Sequence, residues 1–246
     1  MMKTSPFFLT ILLSTISSWG VAADTLPACQ TQTLQLAFAQ HPDEWAHVPL
    51  SKFKNDTQYK LVQEAGRKVL RAEADDSASL YALKLKTPST EFSSLQWRWK
   101  TDALIPGADN RDQKREDSPL RVMLSFDGDL ASLPETEQFR IKMSKVIAGV
   151  ELPFATLMYI WSEQHALESI IPSAHTSQLK MLVVASGKHG LGTWQAMQRD
   201  IAEDYRRAFG SAPGRLIGVS VMTDTDNTGK KAVGWYADLS LSCANK

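Results

Sequence analysis

The chain has little of what the common catalytic and nucleic-acid-binding classes need. Two cysteines and five histidines stand in 246 residues. His41 and His47 lie six apart and the others are scattered, so no paired spacing for a zinc site is present. No G-x-S-x-G, H-E-x-x-H or E-x-D-x-x-E occurs, which removes the nucleophile elbow, the zincin helix and a frequent jelly-roll glycosidase signature. Carboxylate pairs set by spatial separation stay open, because sequence does not fix them. Net charge is also missing: 27 basic residues face 27 acidic ones. A balanced chain has no general drive toward nucleic acid or an acidic membrane surface. Long apolar runs are absent too. The run Phe7–Ile16 falls short of the roughly 20 residues of a membrane-spanning helix, so no integral membrane segment is expected.

That short run does read as a secretory leader. Lys3 precedes it, and Val21-Ala22-Ala23 supplies small residues before a cut. Residues 1–23 are therefore expected to be a cleaved signal peptide and 24–246 a single domain, periplasmic or secreted. In an oxidising compartment Cys29 and Cys243, one near each end, are expected to pair. Chain entropy for so long a loop gives about 4–5 kcal/mol as an upper figure. The alternative is lipidation at Cys29, where Leu26-Pro27-Ala28-Cys29 loosely resembles a lipobox; Pro27 and Asp24 argue against it.

What the chain has in quantity is period-two alternation. Leu95-Gln96-Trp97-Arg98-Trp99-Lys100 sets large apolar residues against polar ones, and Val122, Leu124 and Phe126 form another such run. Strand patterns recur at 34–38, 59–62, 68–74, 79–86, 156–161 and 180–185, with Glu64-Ala65-Gly66 as a hairpin turn. About ten strands fit a mainly β, jelly-roll-like, two-sheet antiparallel β-sandwich. Three- and four-residue steps through Trp194, Met197, Ile201, Tyr205 and Ala208 predict one packed amphipathic helix from Thr193 to Gly210. A short helix near 139–146 is open, and 102–119 reads as a polar surface loop.

The C-terminal end is the richest in candidate chemistry. Ile217, Val219 and Val221 alternate before Asp224-Thr225-Asp226-Asn227-Thr228-Gly229. Val233, Trp235, Ala237, Leu239 and Leu241 alternate after it. The segment reads as a β-hairpin with an acidic tip. Asp224, Asp226, Asn227 and, if the sheet curls, Asp238 could offer oxygens to calcium. Trp235 stands where an EF-hand needs its bidentate Glu, and the plainer reading is an Asx-rich turn bonding its own backbone. On the polar phase of neighbouring strands, Arg98, Lys100 and Arg121 could gather in a groove with Asp117 at its rim; a solvated face with an Asp117–Arg121 ion pair is the alternative. Trp97, Trp99 and Trp235 share the apolar phase and read as core, which leaves Tyr236 as the exposed aromatic. Gly187 to Gly192 has neither P-loop order nor Rossmann spacing and reads as a link into the helix.

Taken in order, Trp97-Arg98-Trp99-Lys100, Glu116-Asp117 with Arg121-Val122, Tyr159-Ile160-Trp161-Ser162, Asp204-Tyr205 with Phe209-Gly210, the 224–229 loop and Tyr236-Ala237-Asp238 resemble the bacterial domain-of-unknown-function family 3047. The resemblance covers roughly 38–241 and implies an exported single-domain protein without implying an activity. More loosely, the strand series and the closing Trp-Tyr-Ala-Asp-Leu-Ser-Leu resemble jelly-roll carbohydrate-binding modules, which often carry structural calcium; that is fold-level analogy. The resulting expectation is noncatalytic binding of a glycan or other polar envelope ligand. Arg98, Arg121 and Tyr236 would touch ligand, and Asp224, Asp226, Asn227 and Asp238 would hold calcium. A glycan-active hydrolase or lyase using Asp117 or Asp238 with Arg121 is the alternative. A protein-interaction module working through a sheet edge is the third.

Overall fold

Extended segments stack as two sheets around one core. The computed structural model describes residues 33–64, 66–148 and 152–243. Its first strands are β1 (Thr33–Gln35), β2 (Trp45–Pro49), β3 (Gln58–Glu64), β4 (Arg67–Asp75), β5 (Ser79–Ser89), β6 (Phe92–Thr101) and β7 (Ser118–Phe126). Helix α1 (Glu135–Ala148) follows, over the stretch where a short helix was open. Then come β8 (Ala155–Ser162), β9 (Ile170–Pro172), β10 (Leu179–Ser186), β11 (Gln195–Asp200), α2 (Ile201–Phe209), β12 (Leu216–Asp224) and β13 (Lys231–Cys243). One sheet runs β2-β5-β12-β7-β8-β10-β9. The other runs β11-β6-β13-β4-β3, with β1 beside β13. All pairs are antiparallel except β8 with β10. The protein is a β-sandwich, as the alternation predicts. No helix among the described residues is long and apolar enough to cross a membrane.

The facing surfaces interdigitate around aromatic rings. Trp97 and Trp99 on β6 meet Tyr159 and Trp161 on β8, with centroids 5.1 and 6.3 Å apart, and all four are buried. Both tryptophans are core, as their phase predicts. The β3–β4 turn also follows expectation: Glu64 pairs with Arg67, and Gly66 takes φ 75°, which a side chain would resist.

Four local expectations are corrected. The segment from Thr193 does not begin as helix: Gln195–Asp200 pairs with β6 as β11, and the helix starts only at Ile201. Asp200 is the N-cap, its side chain accepting from Glu203 N at 2.8 Å, and Gly210 closes the helix at φ 76°. Ladder pairing to a neighbouring strand outweighed a weak helical period. The Asp200-x-x-Glu203 start signal was present in the sequence.

Second, β12 and β13 are not a hairpin. They belong to different sheets, so the acidic loop is a crossover between layers. Third, the 102–117 connection is not merely a surface loop, because Ile105, Asn110 and Asp117 are buried.

Fourth, the phase along β13 reverses. A bulge opens against β6 between Ala237 and Ser240, and Asp238 there adopts φ 53°. Leu239 and Leu241 face the core after the bulge, whereas Ala232, Gly234 and Tyr236 face it before. Tyr236 is therefore fully buried and Trp235 lies half-exposed on the outer face.

Candidate functional site

The bulge matters because it lays out the outer face of the six-stranded sheet. Trp235 sits between Arg71 of β4 and Lys100 of β6, its cross-strand partners. Trp194, just before β11, extends the row. Lys100 Nζ lies 4.3 Å from the Trp235 ring centre and 5.9 Å from that of Trp194. Arg71 lies 5.9 Å over Trp235, and Arg98 5.2 Å over Trp194. Such cation–π contacts are worth about 0.5–1 kcal/mol each at exposed sites and hold the indoles in fixed orientations.

Beside this row is a shallow cleft of about 180 Å³ lined by Glu64, Arg67, Val69, Arg98, Trp194 and Ala237. Val69 and Ala237 form a floor that is almost wholly covered, Trp194 supplies an aromatic surface, and the rest is ionic. Lys100 pairs with Glu64, and Arg67 and Arg98 both donate to Asp238 Oδ2, at 3.1 and 3.2 Å. An aromatic plane beside forked donors and carboxylates can bind a ring whose faces are apolar and whose edge carries hydroxyls.

The other polar cluster lies at the layer crossover. Asp117, Asp224 and Asp226 offer oxygens within 4.8 Å of one another. Asp224 Oδ1 accepts from Ser118 N at 3.0 Å and Arg121 Nε at 2.9 Å. Asp117 accepts from Asn227 N at 3.1 Å, Thr228 N at 2.7 Å and Thr228 Oγ1 at 2.6 Å, and so braces the loop from outside. Lys54 pairs with Asp226.

Burial pushes the Asp224 carboxyl up to about 7, against the pull of Arg121, and the neighbouring Asp117 and Asp226 charges push the same way. Burial also disfavours the Arg121 charge, yet Asp224, Glu116 and Asp117 together hold it above the usual arginine value. Arg121 thus does not depend on Asp224 alone.

These two places divide the residues singled out from the sequence. Arg98 and Asp238 meet in the cleft. Arg121 does not join them: β7 is in the opposite sheet, and its guanidinium is buried against Asp224, the Glu116 carbonyl and Met158 Sδ. No Arg98–Arg121 groove forms, and Arg121 is not placed to touch a ligand. Tyr236 is corrected likewise. Its hydroxyl donates to Met222 O at 2.6 Å and lies 2.9 Å from Thr223 Oγ1, tying the sheets together from within.

Asp238 is no ligand of the acidic loop. It stands seven residues beyond Lys231 on β13, about 23 Å at strand rise, and on the far face. Asp117 takes its place in the cluster. The Asn227 amide donates to Gln113 O at 3.0 Å, so its nitrogen, not its oxygen, is engaged there. The hydrolase set of Asp117, Arg121 and Asp238 is split across the molecule for the same reason. Cys243 closes β13, while Cys29 lies outside the described residues. Trp194, Trp235 and Arg67 were missed, the first as helix and the second as core. The pairing of Trp235 with Lys100 and Arg71 has no trace in local periodicity.

No curated protein matches the chain. Solved structures give distant likenesses. A family 11 carbohydrate-binding module from Clostridium thermocellum, solved with a β-1,3-1,4-mixed-linked tetrasaccharide, is 8% identical at TM-score 0.45, covering 87% of this chain and 97% of that one. The xyloglucanase domain of NopAA, a type three effector from Sinorhizobium fredii, solved with cellobiose, is 7% identical at TM-score 0.42, covering 82% and 95%. At these values neither assigns a ligand here. The family model is decisive: it matches residues 43–240, and the chain belongs to the family of proteins of unknown function DUF3047.

Proposed function

We propose that this protein is an exported, noncatalytic glycan-binding module whose site is the outer face of the six-stranded sheet. The observation that carries the reading is the cleft beside Trp194, with Arg67, Arg98 and Glu64 around it. A sugar ring can stack on the half-buried indole while its hydroxyls meet the ionic groups. At about 180 Å³ the cleft is smaller than the usual 300–1,000 Å³ of a drug-sized site and suits one ring of an extended polymer.

Affinity electrophoresis of residues 24–246 through gels containing soluble polysaccharides tests this. Retardation by at least one glycan is expected, without new reducing ends, and Trp194→Ala should weaken it about thirtyfold, as for an interface hot spot. Unchanged retardation of Trp194→Ala, or none in any gel, defeats the proposal.

Export, the disulfide and calcium belong to the same reading. Lys3, Phe7–Ile16 and Val21-Ala22-Ala23 support removal of 1–23, and the position of Cys243 at the end of the last strand suits a bridge to Cys29. Intact mass of the exported protein tests both at once: a mass that includes residues 1–23, or two alkylatable thiols, rejects the corresponding claim. Calcium would sit on Asp117, Asp224 and Asp226. The fit is partial, since Arg121 and Lys54 already neutralise two of three charges and an ion would have to displace Lys54.

A further inference from the structure

Three non-glycine residues have positive φ among the described residues, Asp76, Glu168 and Asp238, and of these Asp238 alone lies within a strand. Left-handed backbone is disfavoured for a non-glycine residue, less so for Asp, and persists only where surrounding structure holds it. The bulge and two guanidiniums do so here. One half-exposed carboxylate oxygen serves Arg67 and Arg98 together, at 3.1 and 3.2 Å. Each guanidinium has five N–H donors and gives one of them to Asp238. Around the cleft Arg67, Arg98 and Lys100 face Glu64 and Asp238, so three positive charges against two negative leave one in excess.

We propose that the cleft takes a pyranose bearing a carboxylate, a uronate unit, with its ring on Trp194 and its carboxylate on Arg67 and Arg98. The inference rests on the glycan reading of the same site and narrows it. Both arginines already give one N–H each to a single carboxylate oxygen from within the chain, so the two guanidiniums converge on this group. A single excess positive charge is neutralised by one ligand carboxylate. A neutral sugar would leave that charge uncompensated. Asp238 both positions the arginines and repels an incoming anion, so it sets how tightly a uronate is held.

The test uses the oxidised 24–246 protein in affinity electrophoresis and calorimetry with polygalacturonate and alginate, against the neutral glucans laminarin and hydroxyethylcellulose and against dextran sulfate. Polyuronates should bind best, and raising sodium chloride from 50 to 500 mM should weaken them. Arg98→Gln should weaken polyuronate binding about tenfold, the scale of one charge-assisted hydrogen bond. Arg67→Gln should act in the same direction, and its side chain is 64% exposed, so folding is not at stake. Asp238→Asn should tighten binding.

If neutral glucans bind as well as polyuronates and neither arginine variant changes affinity, the uronate inference is wrong and the glycan reading stands. Preference for dextran sulfate overturns the carboxylate in favour of a sulfate ester. Failure of every glycan, with Trp194→Ala indistinguishable from the parent, removes both proposals together.

Discussion

Asp224 should make the protein less stable as pH rises, the reverse of an ordinary carboxylate. Its side chain is 3% exposed, and burial beside Asp117 and Asp226 holds the carboxyl near 7 in the folded state despite Arg121 at 2.9 Å. In the unfolded chain an aspartate titrates near 3.9. Between these values the native state keeps a proton that the unfolded state has lost. The stabilisation is complete below about 3.9 and disappears as pH climbs through about 7. The slope is up to about 1.4 kcal/mol per pH unit, or on the order of 4 kcal/mol over the window.

Asp109, Glu137 and Glu168, held below the usual carboxylate range, act with the opposite sign and would mask this in a bare profile. Subtraction isolates it. Asn at 224 keeps an oxygen for Ser118 N and Arg121 Nε but cannot titrate. Urea unfolding of the parent and Asp224→Asn at half-unit steps from pH 4.5 to 8.5 gives the difference in stability. Parent minus variant should fall steadily to about pH 7 and level off above 8. A difference that stays flat across this range would show that Arg121 keeps Asp224 ionised throughout, and would refute the dominance of burial.

At Gly234 β13 lies close against the opposite sheet: a Cβ there would meet Thr223 Oγ1 at 2.6 Å, Leu120 Cδ2 at 2.7 Å and Pro119 O at 2.9 Å. Gly234→Ala should cost about 1–3 kcal/mol by overpacking, read as a lower urea midpoint at unchanged m; an unaltered midpoint would mean the sheets part easily there. Calcium held at a hundred times its dissociation constant would add about 2.7 kcal/mol, several degrees in Tm for a domain this size, and chelator should reverse it. An equal Tm with calcium and chelator makes the acidic crossover a braced turn and nothing more.

The sandwich was legible because burial is written locally. Trp97 and Trp99 against Arg98 and Lys100 announce a strand with one face inward whichever strands lie beside it. Gly66 and Gly210 mark their turn and cap by the same local logic. The site was legible only in part. Arg98 was found because its face is locally encoded. Arg121 has the same local pattern and a buried fate, because β7 lies in the other sheet and its outer side is covered. Trp235 and Tyr236 exchanged places because one bulge residue shifts the count by one, and a period of two turns that shift into an inversion.

Alternation and capping signals by themselves determined that this chain forms strands, and which face is apolar where no bulge interrupts the count, as on β6. Tertiary structure alone decided that β12 and β13 part into separate sheets, that Asp117 rather than Asp238 joins the acidic crossover, and that Trp194, Arg67, Arg98 and Asp238 share one cleft. The physical reason is range. Side-chain burial is sampled every two residues along the chain, whereas strand partners and bulges are settled by competition among backbone pairings tens to hundreds of residues apart.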